Sequence, residues 1–213
     1  MNSTDTDLIF ILDRSGSMAG LEQDTIGGFN AMIERQKKLP GQAYVTTLVF
    51  NHRTEVIHNR IPLQDLPPMT EEDYCPGGST ALLDAIGSAI SSREDLQGRK
   101  DDLPRKVLFV ITTDGMENAS RHYRPSRIRE MVEAHREEGW EFLFLGANMD
   151  AFRVGSRLGI PEDRTAVFCS DKKGTEVNYR AIGRAAECLR RNQPLSTCWK
   201  EEIQKDFRER KQK

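Results

Sequence analysis

Short apolar runs alternate with longer amphipathic segments along most of the chain. The runs are mostly continuous, rich in β-branched and aromatic residues, and lie at Leu8–Leu12, Tyr44–Phe50, Val107–Ile111, Phe142–Leu145 and Ala166–Phe168. Continuous runs of this length predict strands that are buried on both faces, which is typical of a mainly parallel sheet.

The segments between the runs carry apolar residues at helical spacing. Ile26, Phe29 and Ile33 form one such face, and the segment from Val177 to Cys188 carries another. The segment 53–61 follows the second strand after a tight turn and is predicted to be a short antiparallel edge strand. Strands that alternate with helices predict an α/β fold with three α/β/α layers, doubly wound around a mainly parallel, Rossmann-like sheet.

Chain length sets the predicted domain organisation. The 213 residues predict one domain over residues 1–195 and a charged C-terminal tail over residues 196–213. Within that tail, only Ile203 and Phe207 are apolar after Lys200. We therefore expect a marginal, solvated helix or a frayed end there.

Charge and cysteine content narrow the functional classes. The 31 basic and 33 acidic residues give a net charge of −2, so no global field draws the chain to nucleic acid or anionic lipid. No secretory signal is visible, and no stretch approaches the ~20 apolar residues of a membrane span. The four cysteines form neither a CxxC pair nor a His-Cys cluster, which argues against a zinc site and a disulfide framework. We expect a cytoplasmic protein with reduced thiols.

Oxygen-bearing side chains follow the predicted strands at the points where the strands end. One group surrounds Gly16, which we expect to give the loop a sharp turn, another follows the glycine-rich segment 76–79, and the last follows the third parallel strand. Ligands of doubly wound folds bind outside the carboxyl ends of the strands, so these segments are predicted to meet. The residues predicted to hold one divalent cation are Asp13, Ser15, Ser17, Thr80 and Asp114.

The donor chemistry of this set predicts the metal and the kind of partner. All five side chains offer hard oxygens, so we expect Mg²⁺, with Mn²⁺ and Ca²⁺ as alternatives. Only two donors are carboxylates, which leaves coordination positions to water, and an acidic side chain of a protein partner would displace one water. Each residue also has an ordinary explanation, such as a helix cap for Thr80 or a turn for Asp114. Their co-occurrence at three strand ends favours the metal site.

The three motifs resemble those of a known family. Asp13-x-Ser15-x-Ser17, Gly78-Ser79-Thr80 and Thr113-Asp114-Gly115 are similar to the metal-ion-dependent adhesion site of von Willebrand factor type A domains. The resemblance covers roughly residues 5–170 and implies a Rossmann-like fold and metal-dependent protein binding. It implies that Ser15 and Ser17 contact the metal directly, and that the other three do so directly or through water. Among the family's branches, the chain resembles short stand-alone bacterial members, some associated with tellurite resistance and stress operons.

Further polar residues lie near the predicted rim. Glu117, Asn118, Asn148 and Asp150 either orient waters of the metal or cap loops. A basic cluster follows Asp114 and either attracts an acidic partner or forms a solvated helix face. Its members are Arg121, His122, Arg124, Arg127 and Arg129.

A metal-dependent hydrolase or phosphotransferase is the alternative function. Aspartate-nucleophile enzymes need a second carboxylate two residues after the first, and Ser15 stands there instead. The motif loops contain no histidine to activate a serine, and the glycine-rich loop lacks a Walker lysine. The sequence therefore favours a binding module, with a regulatory subunit of an ATPase or kinase-phosphatase system as one form of it.

Overall fold

Six strands form one mixed sheet in the computed structural model, which describes residues 5–97, 106–147 and 150–211. The strands are β1 Thr6–Asp13, β2 Ala43–Phe50, β3 Thr54–Pro62, β4 Lys106–Thr113, β5 Glu141–Ala147 and β6 Thr165–Phe168. Their order is β3-β2-β1-β4-β5-β6, and only the edge strand β3 runs antiparallel to its neighbour. The predicted doubly wound α/β fold and its antiparallel edge strand are confirmed.

Helices cover both faces of the sheet. They are α1 Glu22–Lys37, α2 Leu82–Gln97, α3 Pro125–Glu137, α4 Ala151–Arg157, α5 Lys172–Arg190 and α6 Glu201–Lys211. Alternate residues of β1 point into opposite layers: Leu8 and Phe10 pack with α1 and α5, whereas Ile9 and Ile11 pack with α2 and α3. Two apolar cores therefore sandwich the sheet, as the continuous apolar runs predict.

Local capping explains where several helices begin. Pro125 is the first residue of α3 and follows Arg124 in an extended conformation, which suits a residue before proline. Asp171 caps α5 by accepting a hydrogen bond from Gly174 N at 2.9 Å. Asp150 caps α4 in the same way, with Arg153 N as the donor. The short helix α4 is not foreseen by the apolar pattern.

The C-terminal segment packs against the domain, so the expectation of a solvated or frayed end is wrong. Ile203 is 1% exposed and Trp199 is 3% exposed, within the same core as α1 and α5. The Trp199 indole donates to the Asp163 carbonyl, and the Lys200 ammonium donates to the Thr165 carbonyl at 2.8 Å. Helix α6 therefore docks on the domain despite its polar composition, through a few buried apolar side chains and a buried lysine.

Among the described residues, no helix combines the length and the apolar character needed to cross a bilayer.

Candidate metal centre

Asp13 ends β1 at the carboxyl edge of the sheet. Its side chain is nearly inaccessible, with the residue 1% exposed, and its two oxygens accept from Ser15 N at 2.7 Å and from Thr113 Oγ1 at 2.5 Å. Burial raises the pKa of Asp13, and the hydrogen bonds from Thr113 and Ser15 act in the opposite direction. The fold therefore holds this carboxylate in one orientation, at a price in desolvation that a cation would offset.

Ser15 and Ser17 follow in a tight turn. Residues Gly16–Met18 form a short 3-10 turn, and Ser15 Oγ lies 3.1 Å from Ser17 Oγ. Ser17 Oγ donates to Asp114 Oδ1 at 2.5 Å, so the first loop reaches the end of β4. The expected conformational role of Gly16 is wrong: it has no positive φ, and an added Cβ would meet only Gly78 O at 3.5 Å and Gly78 N at 4.0 Å.

In the glycine-rich loop, the backbone conformation at residue 78 requires glycine. Gly78 has a φ of +77°, and a Cβ there would lie 2.5 Å from the His52 Nδ1 atom. Its carbonyl accepts from Gly16 N at 3.0 Å, while Gly77 N donates to the Arg14 carbonyl at 2.9 Å. These two bonds fix the loop that carries Thr80 against the loop that carries the serines.

The predicted hydroxyls converge beside Gly115. A Cβ added to Gly115 would lie 2.8 Å from Thr80 Oγ1 and 3.4 Å from both Ser15 Oγ and Ser17 Oγ. One small volume is thus bounded by three hydroxyl oxygens from two loops, with the Asp114 carboxylate bonded to Ser17. The structure brings together all five residues that the sequence predicts for the site.

The donor set fits a hard divalent cation. Hydroxyl and carboxylate oxygens are the ligands of Mg²⁺, Mn²⁺ and Ca²⁺, whereas structural zinc sites usually take Cys and His. In the ranges 5–97, 106–147 and 150–211, no group of three or more His, Cys, Asp or Glu side chains is placed to hold a metal. The site therefore has only two carboxylates of its own, Asp13 and Asp114, beside neutral hydroxyls.

Glu117 and Asn118 cap loops. Asn118 Oδ1 accepts from Thr80 N at 2.9 Å, and Asn118 N donates back to the Thr80 carbonyl at 3.0 Å. The Glu117 carboxylate accepts from Leu83 N at 3.0 Å and from two amides of its own loop. Both residues hold the Thr80 loop in place, which is how they serve the site. Asn148 lies outside the described residues.

Two residues that the sequence prediction missed form hydrogen bonds with Asp114 and Asp13. Ser170, in the loop after β6, donates from its Oγ to Asp114 Oδ2 at 3.2 Å. Tyr74 is 1% exposed, and its hydroxyl donates to the Asp13 carbonyl. Ser170 follows an apolar run, so the strand-end rule could have found it. Tyr74 carries no such signal in the sequence.

The basic cluster after Asp114 divides into two parts. Arg127 and Arg129 lie on α3 and pair with Glu130 and Glu133 at 3.3 and 2.8 Å, as a solvated helix face would. Arg121 and His122 instead precede the helix and line an open cleft next to Thr80.

Comparisons with solved structures identify the fold. Proximal thread matrix protein 1 from the mussel byssus matches with a TM-score of 0.60 at 17% identity over 87% of this chain and 47% of its own. A von Willebrand factor type A protein from Catenulispora acidiphila matches with a TM-score of 0.57 at 14% identity, over 86% and 43% of the two chains. The manganese-loaded TRAP protein of Plasmodium vivax matches with a TM-score of 0.54 at 14% identity, over 83% and 73%.

These likenesses extend across most of this chain, although it spans about half the length of the mussel protein. Another form of the mussel protein is described with zinc in its MIDAS motif, the metal-ion-dependent adhesion site. No protein-family model and no curated protein matches the chain. The chain has the fold of von Willebrand factor type A domains.

Proposed function

We propose that this chain is a non-catalytic protein-binding module whose affinity for its partner depends on a divalent cation. The cation is held by Asp13, Ser15, Ser17, Thr80 and Asp114. The observation that carries the proposal is the convergence of three hydroxyl oxygens around one point beside Gly115, with the Asp114 carboxylate bonded to Ser17 and the Asp13 carboxylate bonded to the Ser15 amide.

The coordination of the site defines the partner. The five side chains supply at most one oxygen each in this arrangement, so an octahedral Mg²⁺ keeps at least one position for a further oxygen donor. When bound, the cation supplies a Lewis-acidic position for an aspartate or glutamate of a partner protein. Mg²⁺ is the preferred ion because few carboxylates commonly hold it, and Mn²⁺ and Ca²⁺ fit the same donors. The zinc-occupied and manganese-loaded neighbours support divalent metal binding in this fold.

The surroundings of the site support a protein partner. Met116 follows the metal loop directly and is 72% exposed, and methionine is enriched at protein interfaces. Tyr123, the aromatic residue within the basic cluster, packs its ring on Gly87, where a Cβ would come within 2.5 Å. That contact fixes the ring against α2, and the near-neutral net charge gives no general attraction to a polyanion or an anionic membrane, so we expect neither nucleic acid nor membrane as the partner.

The hydrogen bonding of the serines supports a module without turnover. Ser15 Oγ and Ser17 Oγ contact each other, and Ser17 also donates to Asp114. Neither hydroxyl is bonded to a histidine among the residues that the structure describes, so neither has the imidazole base that activates the serine of a hydrolase. A cytoplasmic location and a role in bacterial stress or regulation, as in the tellurite-resistance branch, complete the proposal.

Metal titration and affinity capture test the proposal. Isothermal titration with Mg²⁺ and Mn²⁺ should show one site, and immobilised chain should retain a protein from cell extract in Mg²⁺ but not in EDTA. Thr80→Val should lose metal binding and capture, whereas Thr80→Ser, which keeps the hydroxyl, should retain both. Circular dichroism should show that both variants stay folded.

Two results would overturn the proposal. One is equal recovery of the same protein in Mg²⁺ and in EDTA. The other is metal-dependent hydrolysis of generic phosphatase or esterase substrates that Asp13→Asn abolishes, which would favour the hydrolase alternative.

A further inference from the structure

An open cleft adjoins the Thr80 side of the metal centre. Its volume is about 1020 Å³, and Ser79, Ala81 and Asn118 at its border are the chain neighbours and the hydrogen-bond partner of Thr80. The turn between β2 and β3 forms one wall, and the segment before α3 forms the other. The side chains that matter for its charge are His52, Arg53, Asp84, Arg121 and His122.

Hydrogen bonds fix both walls to the metal loop. Ala81 N donates to the Asn51 carbonyl at 2.7 Å, and Asn51 Oδ1 accepts from Arg53 N at 3.0 Å, which ties the β2–β3 turn to the start of α2. On the other side, Ser120 Oγ accepts from Asp84 N at 3.1 Å. The cleft is therefore a built feature with a fixed position relative to the cation site.

The charge that the cleft presents to a ligand is positive. Asp84 is the acidic residue that lines it, and its carboxylate accepts from the backbone amides of Arg121, His122 and Tyr123 at 2.8 to 2.9 Å. Burial acts to raise the pKa of Asp84, but these three amides lower it below its ordinary value. The carboxylate is thus directed at the protein backbone rather than at the cleft.

The two guanidinium groups are available to a ligand. Arg53 and Arg121 are exposed, and in the part of the chain that the structure describes neither guanidinium forms an ion pair with a carboxylate. Arg127 and Arg129, by contrast, are already paired within α3. Positive charge without an internal partner is therefore concentrated beside the metal centre.

We infer that the cleft binds a second acidic side chain of the same partner segment that offers a carboxylate to the cation. The inference rests on the proposed function and specifies the partner: an extended segment with two acidic residues, one for the metal and one for Arg53 and Arg121. Guanidinium groups form bidentate hydrogen bonds with carboxylates, which gives the pair geometric selectivity.

Synthetic peptides provide the probe. One peptide carries a single glutamate in a Gly/Ser background, and three others carry a second glutamate two, three or four residues away. Fluorescence anisotropy in Mg²⁺ at low salt should show that at least one two-glutamate peptide binds about three- to tenfold more tightly than the single-glutamate peptide, because two exposed ion pairs contribute that much. Raising the salt concentration should shrink this gain.

Two matched double variants test whether Arg53 and Arg121 cause the tighter binding of the two-glutamate peptides. Arg53→Ala/Arg121→Ala should remove the advantage of the second glutamate and leave Mg²⁺ binding and the single-glutamate affinity within about twofold. Arg127→Ala/Arg129→Ala removes the same charge from α3 and should keep the advantage. Thermal unfolding should confirm that both double variants are folded.

The outcomes separate the inference from the proposed function. Mg²⁺-dependent binding of the single-glutamate peptide with no gain from a second glutamate overturns the inference alone, as does an equal loss in both double variants. Binding of every peptide that is unaffected by EDTA overturns the proposed function. A single-stranded oligonucleotide that binds in EDTA through Arg53 and Arg121 would overturn the inference in favour of a nucleic-acid surface.

Discussion

Ser170 Oγ donates a hydrogen bond to Asp114 Oδ2 at 3.2 Å, and Ser17 holds the other oxygen of that carboxylate. Asp114 is 5% exposed. Because hydroxyls from two separate loops bind its two oxygens, the carboxylate is held in one orientation. The β6–α5 loop thus contacts the candidate metal centre although it contributes none of the five predicted ligands. Partners that orient a ligand in this way commonly tune metal affinity.

Ser170→Ala tests this role. Loss of the hydroxyl frees one oxygen of Asp114, so we expect Mn²⁺ affinity to fall about three- to tenfold with little change in stability. Titration calorimetry measures the affinity. Ser156→Ala, at an exposed serine of α4, is the control and should leave the affinity unchanged. Identical dissociation constants for wild type and Ser170→Ala would show that the contact is incidental.

Gly115→Ala tests the convergence of the hydroxyls. Gly115 is not among the glycines with a positive φ, so the backbone accepts alanine, but the new methyl group would lie 2.8 Å from Thr80 Oγ1. We expect metal affinity to fall by about 100-fold or more, because the methyl group occupies the space between the ligands. Gly27→Ala, which meets no atom within 4 Å on an exposed helix face, should leave the affinity intact. Normal metal binding by Gly115→Ala would place the site elsewhere.

The strand-end logic predicts most of the site because parallel strands deliver their following residues to one edge. Asp13 ends β1 and Asp114 follows β4, and these neighbouring strands are parallel and pair Leu12 with Thr112, so the proximity of the two aspartates follows from topology. Steric requirements are less visible in sequence: Gly78 and Gly115 need the absence of a side chain because of His52 and Thr80, which are distant along the chain. For the same reason, the periodicity of the sequence does not reveal Tyr74.

The C-terminal helix shows a second limit of the sequence pattern. Its low apolar content predicts a solvated end, yet Ile203 and Trp199 are buried. Hydrogen bonds from Lys200 and Trp199 to carbonyls near β6 fix its position, and such contacts leave no periodic signal. Composition alone therefore underestimates how firmly a short polar helix can dock.

Because His58 is buried, we expect the free energy of unfolding to depend on pH. It is 3% exposed on β3, where Nδ1 lies 3.1 Å from Thr47 Oγ1, and burial lowers its pKa from the ordinary value of 6.5, while Asp73 opposes the shift. Protonation therefore favours the unfolded chain, so stability that is present above pH 6.5 is lost as the pH falls below it. Urea unfolding at several pH values should show a flatter dependence for His58→Gln. Equal slopes for the wild type and His58→Gln would contradict the assignment.

A buried ion pair stabilises the opposite end of the sheet. Arg93 Nε lies 2.7 Å from Asp7 Oδ2, and both side chains are 4% exposed. Among the described residues, Arg93→Met leaves the buried Asp7 carboxylate with the longer ion pair to Arg60 at 3.4 Å, so we expect a loss of about 3 to 5 kcal/mol in the free energy of unfolding.

Arg127→Met is the matched control for this prediction, because its ion pair with Glu130 is exposed and should contribute less than about 1 kcal/mol. Denaturant unfolding measures both variants. Asp7 lies near the start of β1 and Asp13 ends it, so Arg93→Met should leave Mg²⁺ affinity unchanged wherever the variant is folded. A loss no larger than that of Arg127→Met would mean that water reaches Asp7 and replaces the guanidinium.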